Sequence, residues 1–506
     1  MLSGRIELPG SPLLQSLIIV ILFGVGWKVV TTIYNLYFHP LSKFPGPRAA
    51  AISEGWLYNL SRSGKQEPTF EQLHKDYNTR ALRIAPNELH ITDVSLYKTI
   101  YSQSKPYPKN EAFYDAFNIK DTIFGGTDPT VHKERRRRLN PFFAKSGILK
   151  IEGAIWEHVE SLHRRLETLS RNGRPIMALN AFRCLTIDII SKFAFASAKG
   201  LVEDSDDNFY NKYLDTFDAA VVVIWDSMFN PTVRTIGNAL PKSIISSISK
   251  EIDLMIKLQD EGRKSYEDYK TLAQSEAPVI FDCMNDLPDE PVAKEAIDIL
   301  VAGSDTTAFT LAAGVWHITR DPTIKEKLAQ ALREAVPNTS QPPSLSQLES
   351  IPYLMACVQE SLRIAIAVPG RLPRVVPGGG ADPLLVDGKV VPPGTIVGMS
   401  AYTMHNDEET WGADARRFHP ERWLGESGKS LASSLVTFSK GARNCIGQTL
   451  AMAELTLALF MVYRNFEVEL DAGCADPLRT LDMFSRQIEG GGVVLRMKPV
   501  REGRNA

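Results

Sequence analysis

Apolar positions along the chain fall into three regimes. The first is unbroken. Residues 13–27 carry no charge and are apolar on every face of a helix, and after Lys28 the apolar character resumes as far as Phe38. As a helix, 13–27 spans only about 22 Å, short of the ~30 Å hydrocarbon core; continuing to Tyr34 gives about 33 Å, with the Lys28 ammonium drawn to the interface. Lys28, Lys43 and Arg48 follow the apolar run and only Arg5 precedes it, which by the positive-inside rule leaves the rest of the chain cytosolic. A cleaved signal peptide would want a stronger basic start and a small-x-small site, and neither is present. The pattern predicts a single-pass anchor over 1–38, in the endoplasmic reticulum, with one body over 39–506. Phe44-Pro45-Gly46-Pro47 is expected to break the helix and aim that body at the membrane surface.

The second regime repeats apolar residues every three to four positions and predicts amphipathic or buried helices over 154–170, 185–195, 296–320, 353–366 and 448–463. The third is short and β-like. Residues 81–91 read as two strands about Pro86-Asn87, and 384–391 as a hairpin whose Asp387-Gly388 suits a type I′ turn; 466–470 and 493–498 predict one more small sheet. The fold class is therefore mainly α with small peripheral β-sheets, preceded by one transmembrane helix.

Length alone allows about three domains at ~150 residues each. No internal repeat or Gly/Ser-rich linker divides the chain, so one large helical domain fits better. A net charge of −2 excludes a nucleic-acid binder, which needs a basic excess. The five cysteines are scattered, odd in number and without Cys-x-x-Cys spacing. That excludes a disulfide framework or zinc cluster and suits a reducing compartment.

One cysteine stands apart. Phe438-Ser439-Lys440-Gly441-Ala442-Arg443-Asn444-Cys445-Ile446-Gly447 sets Cys445 on a glycine-punctuated loop just before the helix at 448. A thiolate in an apolar interior needs backbone N–H groups, a helix N-terminus or a metal to sustain it. Gly441 and Gly447 would let the backbone approach the sulfur, the helix start faces it, and Arg443 is placed to meet an anion. An ordinary buried cysteine on a tight loop is the plain alternative.

The order Phe-x-x-Gly-x-Arg-x-Cys-x-Gly, including Phe438 and Gly441, resembles the haem-binding loop of the cytochrome P450 family. The resemblance implies haem b (iron-protoporphyrin IX) with Cys445 as axial ligand to the iron. Ala302-Gly303-Ser304-Asp305-Thr306-Thr307 resembles the family segment that crosses the distal face of the haem. There Gly303 would leave room for dioxygen, and Asp305 and Thr306 would deliver protons to it. Taken alone, Thr306 has another reading, a hydroxyl bonded back to the preceding turn. Glu360 and Arg363 share a helix face and, with Arg422 of Pro420-Glu421-Arg422, match the family's buried ion-pair scaffold. Arg374 and Arg443 match positions that hold the haem propionates, with Arg371 a weaker candidate. His132 and Arg136, on one helix face, would be the third source, although the family more often has Trp at the place of His132.

No Gly-x-Gly-x-x-Gly follows a strand, so electrons are expected from a separate NADPH–cytochrome P450 reductase. Phe113, Phe117, Ile119, Val301, Phe309, 366–368, Met483 and Phe484 are placed by analogy on the substrate wall; their apolar character implies a lipophilic substrate. Stretches such as Asn87-Glu88-Leu89-His90-Ile91 and Asn140-Pro141-Phe142-Phe143 resemble fungal members similar to trichodiene oxygenase, which act in secondary metabolism. That resemblance implies a monooxygenase using O2 to hydroxylate or epoxidise a terpenoid or related polycycle. Two rival readings are a reductase-independent haem-thiolate isomerase or synthase, and a non-catalytic haem sensor. Intact Asp305 and Thr306 speak against the first, and the absence of a visible signalling domain against the second.

Overall fold

The structure is a computed structural model describing residues 11–272, 279–338, 341–380, 382–490 and 492–500. Its axis is the 32-residue helix Asp289–Arg320, packed against Ala178–Phe195, Lys250–Thr271, Pro352–Ala365 and Gln448–Asn465. This central helix is apolar and long enough to cross a membrane, but it is mostly buried in protein and forms the core of the body. It starts seven residues before the expected 296. Asp289, Glu290 and Pro291 form a polar first turn with no apolar period, yet acids and proline both suit a helix N-terminus. Close approach of its neighbours depends on missing side-chain atoms: a Cβ at Gly314 would stand 2.4 Å from Ser361 Oγ.

Helix Ala178–Phe195 likewise begins before the expected 185, because Asn180 and buried Arg183 interrupt the apolar pattern of its first turns. Pro352–Ala365 stops one residue short of the expected 366, where Ile366 turns left-handed at φ 48°.

The small sheets lie at the edge. Ala81–Ala85 pairs antiparallel with Glu88–Ile91, which runs parallel to Ile396–Gly398; Arg374–Val375 closes the far side. The hairpin Leu384–Val386/Lys389–Val391 turns through Asp387 at φ 50° and Gly388 at φ 70°, as a type I′ turn requires. Val494–Pro499 pairs with Phe466–Leu470 as expected and also takes in Ile176–Met177. The hairpin Thr480–Met483/Ser485–Ile488 was not expected: Asp482, Ser485, Arg486 and Gln487 give it no alternation of apolar residues.

The N-terminal helix Pro12–Ile33 continues as a wider turn over Tyr34–Phe38, and Leu13–Phe38 is a candidate membrane span with no part of it buried. One expectation is corrected. Phe44-Pro45-Gly46-Pro47 does not end this helix; Pro40 does, by holding His39 extended at φ −63°, ψ 141°. The later segment is instead stitched to the first strand: Arg83 N–H donates to Pro45 O at 2.8 Å, and a Cβ at Gly46 would meet Arg83 O at 2.2 Å. The buried Arg83 guanidinium donates to Asn35 O at 2.8 Å and to Pro86 O at 2.7 Å, joining the end of the span to the sheet.

Candidate active site

Cys445 is held by its own loop. Its N–H donates to Phe438 O at 2.8 Å, and Asn444 N–H donates to Gly441 O at 3.1 Å. The helix Gln448–Asn465 begins directly beyond. The exposed Cys445 lines a cavity of about 1450 Å³. Burial pushes its thiol up, opposed by the N–H groups of Gly447 and Gln448 and by the Arg136 charge. Those N–H groups serve a thiolate, and a bound metal is what would deprotonate it outright.

Gly447 approaches the sulfur as expected, and Gly441 acts differently. Gly441, at φ 73°, faces Tyr101 O and Ser102 O, where a Cβ would come within 2.2 and 2.4 Å; it seats the loop on residues 101–102 and does not approach the sulfur. At Gly447 a Cβ would lie an ordinary 3.8 Å from Cys445 Sγ. Gly441→Ala will therefore displace the loop. The left-handed backbone alone costs a non-glycine roughly 1–3 kcal/mol before the clash, and the expected result is protein with little bound haem, read from the Soret absorbance per mole of chain.

Thr306 of the central helix opens into the same cavity, with its hydroxyl donating to Ala302 O at 2.9 Å. Asp305 is buried and paired: Arg183 Nη2 donates to its Oδ2 at 2.9 Å and to Asp218 Oδ1 at 2.7 Å, while Asp305 Oδ1 has no partner. Burial raises the Asp305 pKa against the pull of Arg183. Gly303 needs correction. It lines the cavity, but a Cβ built on it would stand 2.8 Å from Ile190 Cγ1, so helix packing accounts for the glycine and cavity room does not.

Basic groups gather around one end of the cavity. Arg443 donates to Gly126 O at 3.0 Å, Thr127 O at 3.3 Å and Asp128 O at 3.4 Å. Arg136 donates to Asn444 O at 2.5 Å and to Asn444 Oδ1 at 2.7 Å. Buried Arg374 donates to Tyr114 OH at 2.8 Å and keeps an unpartnered Nε. His132 is pushed down to about 3 by burial and then by Arg443, Lys109 and Arg136. Arg371, the weaker candidate, is taken up by Glu88 at 2.5 Å.

Sequence reasoning missed Lys109. It is buried, donates to Phe124 O and stands over the rings of Tyr114 and Phe124 at 4.1 and 5.1 Å. Lysines are normally exposed, and nothing around this one marks it in the sequence. Burial and the neighbouring arginines depress its pKa well below the usual lysine range. Buried Lys109 and Arg374 beside half-buried Arg136 and Arg443 suit an anion at this end of the cavity.

The scaffold is as expected. Glu360 Oε2 accepts from Arg363 Nε at 2.8 Å and Trp423 Nε1 at 2.9 Å; Oε1 accepts from Arg363 Nη2 at 2.7 Å, His419 N–H at 2.8 Å and Arg422 Nε at 3.1 Å. Arg363 also donates to His405 O at 2.9 Å. His405 Nε2 accepts from Val436 N–H at 2.9 Å, and Thr437 Oγ1 donates to Leu362 O at 3.0 Å. This network holds the chain immediately before Phe438.

Of the expected substrate wall, Phe117, Ile119, Val301, Ala367, Val368, Met483 and Phe484 line the cavity. Phe113 and Phe309 lie behind it in the packed interior, and Ile366 is turned away by its left-handed backbone. Glu454, also unforeseen, lines the cavity with an unpartnered Oε1; burial pushes it up to about 8 against a hydrogen bond with Thr307.

The family model described as Cytochrome P450 matches residues 45–494. The chain belongs to the cytochrome P450 family. Among curated relatives of this P450, cytochrome P450 monooxygenase macH of Penicillium terrestre is 30% identical over 485 residues, 92% of this chain and 94% of that protein. Cytochrome P450 monooxygenase sdnE of Sordaria araneosa is 32% identical over 491 residues, covering 91% and 92%. Cytochrome P450 monooxygenase MO6277 of Ascocoryne sarcoides is 32% identical over 466 residues, covering 87% and 89%. The chain is thus a P450 monooxygenase whose cofactor is haem held by a cysteine thiolate. Its residues fit that group: a cysteine facing a large apolar cavity, a cluster of buried and half-buried cations suited to two propionates, and an Arg374 Nε with no partner of its own.

Proposed function

We propose that this P450 is a membrane-anchored monooxygenase, its body over 39–506 on the cytosolic face of the endoplasmic reticulum. It inserts one oxygen atom of O2 into a lipophilic secondary metabolite, a terpenoid or related polycycle, with electrons from a separate NADPH–cytochrome P450 reductase. One observation carries the reading: Cys445 and Thr306 open into a single cavity whose walls include Phe117, Val221, Val301, Ala367 and Phe484. When bound, haem supplies the activation of oxygen, with electron density from the Cys445 thiolate.

The chain's own residues supply position and protons. Arg136, Arg374 and Arg443 would neutralise the propionates, with Lys109 beside them; His132, neutral at physiological pH, would serve as a hydrogen-bond donor. The apolar wall binds substrate and excludes water. Thr306 turns its hydroxyl from Ala302 O to the cavity and passes a proton there, and Asp305 Oδ1 relays a replacement proton from solvent through water while Arg183 keeps Oδ2 in place. Thr306→Ala is the test. With the full chain in vesicles beside NADPH–cytochrome P450 reductase and a panel of terpenoids, NADPH consumption should continue while product per NADPH falls by about ten-fold or more. Full coupling in the variant would refute the proton role of Thr306, and turnover without NADPH would refute the monooxygenase reading.

A further inference from the structure

Behind the cavity wall at Gly370 lies a second buried polar cluster that oxygen chemistry does not use. Gln66, Glu67 and His74 come from the helix Gln66–Asp76, Glu88 and His90 from the strand Glu88–Ile91, Arg371 from the segment after Gly370, and Asp482 and Arg486 from the hairpin at 480–488. Glu67 is 1% exposed, His90 0% and Asp482 4%. Exposed Glu54 stands at the rim beside Glu88 and Arg371.

Hydrogen positions in this cluster follow from one fixed end. Thr79 O can only accept, so His74 Nδ1, 2.7 Å away, carries the hydrogen. In the neutral ring His74 Nε2 must then accept, and it receives the hydrogen of His90 Nδ1 at 2.8 Å. His90 Nε2 is left with a lone pair facing Glu67 Oε2 at 3.7 Å; no well-formed hydrogen bond reaches either oxygen of Glu67, and the Ser400 hydroxyl beside it favours the charged form. Burial lowers both histidines, which keeps them neutral. Charge counting agrees. Arg371 and Arg486 are the cations, Glu88 (2.5 Å from Arg371) and Asp482 are anions, and a proton on Glu67 makes the cluster neutral. Burial, with Asp482 next, pushes Glu67 up to about 8.

The cluster reaches the cavity through Asp482. Its Oδ2 accepts from Gln66 Nε2 at 2.8 Å, its Oδ1 accepts from Phe484 N–H at 3.1 Å, and its own N–H donates to Gly64 O at 2.9 Å. Phe484 sits at the hairpin tip at φ 74°, a backbone a phenylalanine keeps only when its surroundings impose it. Its ring packs on Phe117 at 4.7 Å and Phe124 at 6.0 Å, and all three line the cavity. Gly370 also lines it, and a Cβ there would stand 3.5 Å from Asp482 Oδ2 and 3.8 Å from Glu67 Oε1, so the two carboxyls converge behind that wall.

We propose that Glu67 and Asp482 are positioning residues for the substrate wall: a proton held on Glu67 leaves Asp482 the one anion of the pair, and Asp482 holds the Phe484 backbone so that its ring shapes the cavity. Loss of that proton sets two carboxylates against each other in a dry site, and the hold on Phe484 loosens. The inference rests on the cavity being the substrate site of a haem enzyme, and not on the reductase or the product.

The test uses ferric holoenzyme and two iron ligands, imidazole and 4-phenylimidazole, of which only the second projects a ring into the cavity. Absence of any spectral shift with imidazole would overturn the haem reading itself. With that shift present, the preference for 4-phenylimidazole over imidazole should fall about three-fold or more between about pH 7 and about pH 9.5. The step should vanish in Glu67→Gln, which stays neutral, and Asp482→Asn should show the lower preference at every pH. A flat wild-type profile, or a step that survives in Glu67→Gln, overturns the proposal. If Glu67→Gln yields no holoenzyme, difference infrared spectra of the wild type over the same range decide: a protonated-carboxyl carbonyl band that disappears supports it, and no such band overturns it.

Discussion

Cys445→Ala will leave a folded chain without the strongly red-shifted Soret band of its reduced carbon-monoxide complex, and monooxygenase activity will be lost. Among the described residues, the substitution removes the one cysteine that lines the cavity with Thr306, but little packing, because the side chain faces open space on one side. The bond that shapes the loop runs from the backbone N–H of residue 445 to Phe438 O and survives the change. Propionate-binding cations are untouched, so some haem will still be captured, with a weaker ligand or none on that face. Circular dichroism like that of the wild type, together with the lost band, would separate the chemical role of the cysteine from a structural one. A variant that kept the red-shifted band would refute thiolate ligation.

Glu360→Ala should be more severe for the fold itself. One carboxylate satisfies Arg363, Arg422, Trp423 and a backbone N–H, at 0% exposure. Removing it strands the buried Arg363 guanidinium without a carboxylate and leaves Arg422 with that of Asp414 alone; breaking a buried pair in this way costs about 3–5 kcal/mol. Domain stability is typically only ~5–15 kcal/mol, so most of the chain should fail to accumulate as holoenzyme. The damage should appear first at the haem loop, because His405 passes the network's position on to Val436. Soluble yield and Soret absorbance per mole of chain measure both effects. Normal haem content in Glu360→Ala would show that the loop is positioned independently.

Legibility from sequence followed the strength of the periodic signal. The five expected helices are visible because their apolar stripes run for three or more turns, whereas the 22-residue Lys250–Thr271, more polar, was not; other errors fall at ends, as at Ile366 and Pro40. The Cys445 loop and the Glu360–Arg363–Arg422 scaffold were legible because fixed spacing carries their chemistry. Lys109, Glu454 and Glu67 were not. Each is an ordinary charged residue whose meaning comes from burial beside groups distant in the chain, such as Asp482 for Glu67, and no local pattern encodes that. Gly303 reads as room in the cavity and Gly441 as approach to the sulfur, whereas a Cβ at the first would meet Ile190 and at the second the carbonyls of 101 and 102; a glycine signals a missing side chain without naming what lies beyond it.

The bond from Arg83 to Asn35 bears on how this enzyme meets its lipid. A tether ending in a free linker would let the body swivel and present any side to the bilayer. Here the last turn before Pro40 is clasped by a guanidinium rooted in the first strand, only 3% exposed. The candidate span Leu13–Phe38 is therefore joined to the body by a clasp of buried charge on backbone carbonyl, so that the two are coupled in orientation where a loose hinge would leave them independent.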